Sequence, residues 1–449
     1  MNNGKSGNGG RNGQLPVRLA VLLLGVGLAL VAPAQRPTPA PAQARSILVK
    51  GGTVHVGDGR SIVDGAVGFR KGVIDFVGYS YGVTAAYDTV IDATGKHIYP
   101  GFILPDITLG LVELDAVRAS SDEREVGDLE PEVRTITAYN TDSKVIPTVR
   151  NNGVLLAQIV PRGGALSGTS SVVQLDAWEP EEAVVRRDDG THMNWPPSFD
   201  RRGWWAEPDA TAKREEDQRG LRIETLRRLF LRAKAYASPE KVTEVDLRLE
   251  ALKPLFDGSR TLFVHADRGR EIQEAVLFAK EMGVQRTVIV GGYDAWRVAD
   301  LLRDRKVDVI LLRSHSLPLR TDDPVDLPYR LPALLKERGV RFCLSYTGDM
   351  ERMGSRNLAF VAGTASTYGL GREEALRSIT LDAAAILGID QRYGSLEAGK
   401  SATLFISTGD ALDMRTNNVE HAFIDGRKLS LDDTQKQLYR QYRERYAKP

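Results

Sequence analysis

Cysteine is nearly absent from this chain: Cys343 is the only one among 449 residues. No internal disulfide can form, so burial and hydrogen bonding alone must hold the fold, and a chain of this length can bury enough to do so. Cys343 sits in an apolar strand-like run, 340–344, and reads as a small buried hydrophobe rather than a nucleophile. An excess of one sign of charge is also missing. The 60 basic and 59 acidic residues leave a formal net charge of +1, which gives no electrostatic footprint for nucleic acid. Histidine is sparse, with six residues in all. The apolar share of 42% is that of an ordinary globular protein, and the length suits one large barrel plus a smaller domain.

The first 44 residues stand apart in composition. Lys5, Arg11 and Arg18 form a basic start, 19–31 is an unbroken run of apolar and small residues, and Ala32-Pro33-Ala34 and Ala42-Gln43-Ala44 are both cleavage candidates. This predicts a secretory signal peptide, and with it an exported, periplasmic or secreted protein. The run is shorter than the roughly 20 residues of a membrane-spanning helix. No Cys follows it, which argues against a lipoprotein, and 36–43 is a Pro/Ala-rich linker.

Short β-like runs broken by Gly fill 46–100, and the same style returns at 395–430. Two β-rich ends around an α/β middle predict one small β-sandwich assembled from both ends of the chain. The middle, 101–390, alternates apolar strands with helices. Strand candidates lie at 101–107, 154–159, 171–175, 261–265, 286–290, 307–312 and 341–346, with helical patterns at 271–282 and 294–304. Continuous apolar strands with crossover helices predict a parallel sheet buried on both faces. A (β/α)₈ barrel needs an eighth strand, and 184–206 is where it has to hide. A polar insertion with a charged helix at 210–237 occupies about 179–260; Leu221, Leu226, Leu229 and Ala233 are its apolar side. Trp204-Trp205 either pack the insertion onto the barrel or cap a pocket for an apolar or sugar-like ligand. A helical tail closes the chain at 431–449.

Residues 394–401 fit the phosphate-binding pattern G-x-x-x-x-G-K-[ST]. Such a loop has to follow a strand and open a helix, so that backbone N–H groups at the helix start face the phosphate. Here a helical pattern precedes and a strand follows, which predicts no nucleotide.

The segment Ile98-Tyr99-Pro100-Gly101-Phe102-Ile103-Leu104-Pro105-Asp106-Ile107-Thr108 resembles the first barrel strand of the amidohydrolase superfamily, Pro-Gly-Phe-Ile-Asp-x-His-x-His. Asp106 and Thr108 stand where its two metal-binding histidines belong. Residues 394–401 resemble the superfamily's Gly-Ser-Leu-Glu-x-Gly-Lys signature, and Ser167-Gly168-Thr169-Ser170-Ser171 resembles a loop of the imidazolonepropionase-like subgroup. The resemblance implies a distorted (β/α)₈ barrel of TIM type, with metal at its mouth and hydrolysis of carbon–nitrogen bonds other than peptide bonds. Residue by residue it implies His265 on strand five and Asp106 on strand one as metal ligands. Asp349 after strand eight is implied as both ligand and proton acceptor, and Zn²⁺ as the ion. His315 follows the seventh strand near the mouth and is not required by the pattern. His55, His97, His192 and His421 fall on sandwich or insertion segments and receive no role. With the strand-one histidines gone, two readings stay open. One is a hydrolase of small molecules with a reduced metal site. The other is a non-catalytic barrel that binds a small ligand, self-associates or pairs with an active paralogue.

Overall fold

The computed structural model describes residues 38–114, 117–198, 212–238, 244–348 and 350–447. The expected signal segment through residue 37, Trp204-Trp205 and Asp349 lie outside the described residues. Among the described residues no helix is long and apolar enough to cross a membrane.

One eight-stranded sheet draws on both ends of the chain. Its strands are β1 (Ile47–His55), β2 (Ser61–Arg70), β3 (Val73–Tyr79), β4 (Thr89–Asp92) and β5 (His97–Pro100). After eight barrel strands, β6 to β13, the chain returns with β14 (Leu404–Ser407), β15 (Val419–Ile424) and β16 (Arg427–Lys428). Phe405 pairs with Tyr99, so β14 lies antiparallel beside β5 and the order runs β16-β15-β14-β5-β1-β2-β3, with β4 on β1. Val49, Val67, Phe69, Ile98, Leu404 and Phe423 pack together in its core.

The barrel strands are β6 (Phe102–Ile107), β7 (Val154–Ile159), β8 (Leu166–Gln174), β9 (Val184–Asn194), β10 (Thr261–Ala266), β11 (Thr287–Gly291), β12 (Asp308–Leu311) and β13 (Phe342–Leu344), paired in chain order. The eighth strand missing from the sequence pattern is β9. The expectation of an all-parallel sheet needs correction: β8 runs antiparallel to both β7 and β9. A parallel return needs a crossover of a dozen or more residues, and only 160–165 and 175–183 join these strands. The ring is nearly closed. Between β13 and β6 the join is made by side chains, with Ser345 Oγ donating to Pro105 O at 2.6 Å and Thr347 Oγ1 donating to Asp106 O.

Inside the ring, Ile103, Leu156, Val172, Phe263, Val288, Val290 and Ile310 pack with Cys343 against the helix Leu381–Leu387. Cys343 is thus a buried apolar filler; burial pushes its thiol pKa well up, and nearby carboxylates add to this. The helix Ala212–Ala237 buries Leu226, Leu229, Phe230 and Ala233, and Phe230 meets Phe278 of the helix Gly269–Met282 edge-on at 5.3 Å. Leu221, expected on the same side, is exposed. Five residues before Leu226 it is turned about 140° away, at the 3.6 residues per turn of a helix.

The described end of the Pro/Ala-rich stretch is docked: Ala40 N–H donates to Asp176 at 2.8 Å and Arg427 donates to Ala40 O at 3.1 Å. At the other end, the exposed helix Thr434–Tyr446 is capped by Asp433, which accepts from Lys436 N–H.

Candidate metal centre

Side chains two apart on a strand share a face, and those at strand C-terminal ends converge on the barrel mouth. On β10 the inward positions include Phe263, buried in the ring, and His265 above it. On β9, His192 pairs in register with Phe263 and stacks on its ring at 4.9 Å and 9°. His192 Nδ1 lies 3.1 Å from His265 Nε2, and His265 Nε2 lies 3.9 Å from Asp106 Oδ1. Asp106, His192 and His265 each offer one donor atom, and these atoms lie within 4.8 Å of one another. The triad is a candidate metal-binding group.

The donor set fits such an ion. A tetrahedral zinc with bonds of about 2.0–2.2 Å holds its ligand atoms roughly 3.3 Å apart, close to the two separations above. Asp106 Oδ2 and His192 Nε2 are buried without a hydrogen-bond partner. Burial holds both imidazoles below their ordinary pKa, His192 furthest, with His265 adding to its shift and Asp106 opposing the shift of His265. Neutral imidazole is the form that ligates metal. His265 keeps 22% of its side chain exposed to the mouth, while Asp106 has none.

A cation of the chain itself already serves this carboxylate. Arg162, in the loop after β7, donates Nη1 to Asp106 Oδ1 at 2.8 Å and Nη2 to Asp106 O at 3.0 Å. Burial would raise the Asp106 pKa, but the charge and hydrogen bond of Arg162, together with the two imidazoles, outweigh it and hold the carboxyl well below the usual range. Arg162 also reaches both oxygens of Glu351 at 3.3 Å. Glu351 in turn accepts from Thr108 Oγ1 at 2.6 Å, from Thr108 N–H at 3.1 Å and from Gly348 N–H at 3.2 Å.

Asp106 adopts φ of +52°, a left-handed conformation that Asp tolerates better than most residues. It is fixed from below by a buried chain. Asp106 N–H donates to Gln158 Oε1 at 3.1 Å, and Gln158 Nε2 donates to Asp189 Oδ2 at 2.8 Å. Ser170 Oγ donates to Asp189 Oδ1 at 2.8 Å. Burial pushes the Asp189 carboxyl up to about 6 against these hydrogen bonds.

Of the residues singled out in the sequence, Asp106 and His265 come together. Thr108 lies beside them and is turned to Glu351. His315 is directed elsewhere, with Nε2 2.7 Å from Thr364 Oγ1 on the helix Leu358–Ala365. Asp349 lies outside the described residues, next to Gly348. Gly291 ends β11 at φ +104°, and a Cβ there would fall 2.6 Å from Asp267 Oδ1, so this position can carry no ligand. Sequence reasoning missed His192, Arg162 and Glu351. His192 was placed on the insertion but belongs to a barrel strand; the requirement for an eighth strand near 184–206 was the signal that could have found it.

Beside the triad, over the ends of β10 to β13, a cavity of about 1080 Å³ opens between Arg268, Tyr293, Leu311, Arg313, Leu331 and Thr347. The phosphate-loop look-alike contributes no residue to its lining. Lys400 Nζ donates to Ser395 Oγ at 2.6 Å, and Gly399 N–H and Lys400 O pair with Ile74. These residues join the barrel to the first sheet, after the helix Leu381–Leu387 and ahead of β14.

The model of the Amidohydrolase family matches residues 329–429. An amidohydrolase from Thermotoga maritima has a similar structure, with a TM-score of 0.74 at 27% identity over 86% of this chain and 99% of that one. An adenosine deaminase from Xanthomonas campestris, solved with bound zinc, shares the fold at a TM-score of 0.53 and 18% identity, over 91% of this chain and 99% of that one. Among curated proteins, the amidohydrolase tasK of Hapsidospora irregularis is 21% identical over 75% of this chain. The match spans 37% of that protein's own length. The chain has the α/β barrel of amidohydrolase structures together with a separate β domain.

Proposed function

We propose that this chain is an exported hydrolase of carbon–nitrogen bonds other than peptide bonds, of the imidazolonepropionase-like kind, working with a reduced metal site. The observation that carries this reading is the convergence of one donor atom each from Asp106, His192 and His265 at the barrel mouth, with the second carboxylate oxygen of Asp106 buried and without a partner. These three residues would hold a single zinc ion. When bound there, zinc supplies Lewis acidity toward a carbonyl-type group and a water acidified toward neutral pH. His192 is locked by its stack on Phe263, while His265 keeps part of its side chain exposed. The neighbouring cavity takes a small molecule, with Arg268 and Arg313 among its lining. Asp349, the residue after Gly348 in the sequence, is assigned the proton from the attacking water, on the strength of the family resemblance.

Purified protein loaded with zinc and dialysed should retain about one ion per chain and hydrolyse members of a panel of cyclic and acyclic amides, ureas and amidines. Chelation and His265→Ala should each abolish both signals, and Asp349→Asn should abolish turnover while sparing the metal. Absence of both metal and turnover across the panel would sink the reading.

Arg162 favours a second reading. A guanidinium on Asp106 already neutralises the carboxylate, as an ion-free centre needs. On this reading the barrel binds a small ligand or serves as partner subunit to an active amidohydrolase. Ligand-induced stabilisation without turnover, in the presence of chelator, is the result that selects it.

A further inference from the structure

The metal site and the arginine compete for one carboxylate. Asp106 Oδ1 receives Arg162 Nη1 at 2.8 Å and is the same oxygen that faces His265 Nε2 at 3.9 Å. A divalent ion on Asp106 would therefore sit within a few ångströms of a guanidinium in a poorly solvated mouth, where like charges repel strongly. Arg162 is not loosely placed. Three further contacts hold it, one to Asp106 O and two to Glu351, and Glu351 is itself fixed by Thr108 and Gly348. Thr108, at the position of a lost histidine, thus belongs to the clamp that holds the arginine in place.

We propose that Arg162 is the resident cation of this centre and sets its metal affinity, so that the site takes up a divalent ion weakly and only against the arginine. The inference rests on the triad being a metal site, and it goes further by naming the residue that tunes it. It makes Arg162 a positioning and affinity-setting group with no contact to substrate required. The Glu351 clamp is what keeps the guanidinium from swinging out to solvent when an ion arrives.

The test is zinc binding to the full chain, followed by calorimetry and by metal content after dialysis against buffers of set free zinc. Arg162→Gln should tighten zinc at least about tenfold over the unaltered chain, and Arg162→Lys, which retains the charge, should leave it within about threefold. Arg162→Gln leaves two carboxylates without their cation and is the variant most exposed to misfolding. The double variant Arg162→Gln/Glu351→Gln removes the arginine together with the carboxylate that is not a ligand, and should show the same tightening on a better compensated background. If the unaltered chain binds one zinc tightly and neither glutamine variant improves on it, Arg162 does not set the affinity and the inference fails, while the hydrolase reading stands. If neither the unaltered chain nor a folded variant binds zinc, the triad is not a metal site and both fail together.

Discussion

Removing Arg162 also has a consequence for stability that needs no metal. Asp106 is fully buried, and its counter-ion is a side chain only 18% exposed. Breaking such a pair by deleting one partner costs about 3 kcal/mol, the low end for buried pairs, because Arg162 keeps some contact with water. Unfolding of the Thr38–Pro449 unit carries an entropy of about 0.9 kcal/mol/K, so Arg162→Met should lower the thermal midpoint by about 3–4 °C. Asp106→Asn is the matching partner: the amide is isosteric, and Asn tolerates the φ of +52° as Asp does. In a double-mutant cycle of Arg162→Met, Asp106→Asn and the combination, followed by urea unfolding in EDTA, the coupling should reach about 2 kcal/mol. The pH dependence has a definite sign. The folded-state pKa of Asp106 is depressed, so the stabilisation is complete above the ordinary carboxylate value and is lost as pH falls through the lower folded value. In Arg162→Met that loss should begin at higher pH. Additivity within about 0.5 kcal/mol, with acid profiles that superimpose, would refute the claim that this pair holds the strand-one end in place.

Three further outcomes follow from the geometry. His192→Phe preserves the stack on Phe263 and should retain near-native stability while losing zinc; His192→Ala opens a hole over that ring and should cost about 2–4 kcal/mol in urea titrations. Asp189 has a carboxyl raised to about 6 by burial, so the folded state binds the proton more tightly and stability should decline as pH rises from about 4 through 6; Asp189→Asn should flatten that slope, and an unchanged slope would assign it to other groups. ATP with Mg²⁺ should give no calorimetric signal, because Lys400 is tied to Ser395 in a joint between domains; micromolar binding lost in Lys400→Ala would overturn this.

Most of the barrel was readable because its strands are apolar throughout and so carry their burial in composition alone. Val154–Ile159 and Thr261–Ala266 match their expected ranges to within a residue. The strand Val184–Asn194 was not readable in that way. Its first half, Val-Val-Arg-Arg-Asp, is half-buried or exposed, and only Gly190 to Met193 enter the core as a continuous run with Asp189. No periodicity separates such a strand from a polar insertion; pairing with β10 defines it. The antiparallel turn of β8 was likewise hidden, since strand direction follows from connection length, and the start of β8 at Leu166 falls in a run of Ser, Gly and Thr with little strand character.

The candidate site shows a further limit of sequence reading, and its logic is electrostatic. Asp106 at the place of a lost histidine looked like a lone substitution. In the fold it puts a full negative charge on a side chain with no exposure of its own, which is costly without a partner nearby. Arg162 supplies that partner from a loop 56 positions away, and Glu351, itself held by the hydroxyl and N–H of Thr108, secures Arg162 directly from 189 positions further on. None of these residues signals its role in isolation, because each is an ordinary polar residue in a loop, at a strand end or at the start of a short helix. Together they form a compensated set: two carboxylates and one guanidinium, leaving one formal negative charge beside two imidazoles whose lowered pKa values keep them neutral. That residual charge still attracts a divalent cation, while the arginine on the shared oxygen opposes it. The same residues can therefore keep Asp106 stable without metal and still leave a metal site within reach, and the balance between the two is set by how firmly Glu351 holds Arg162.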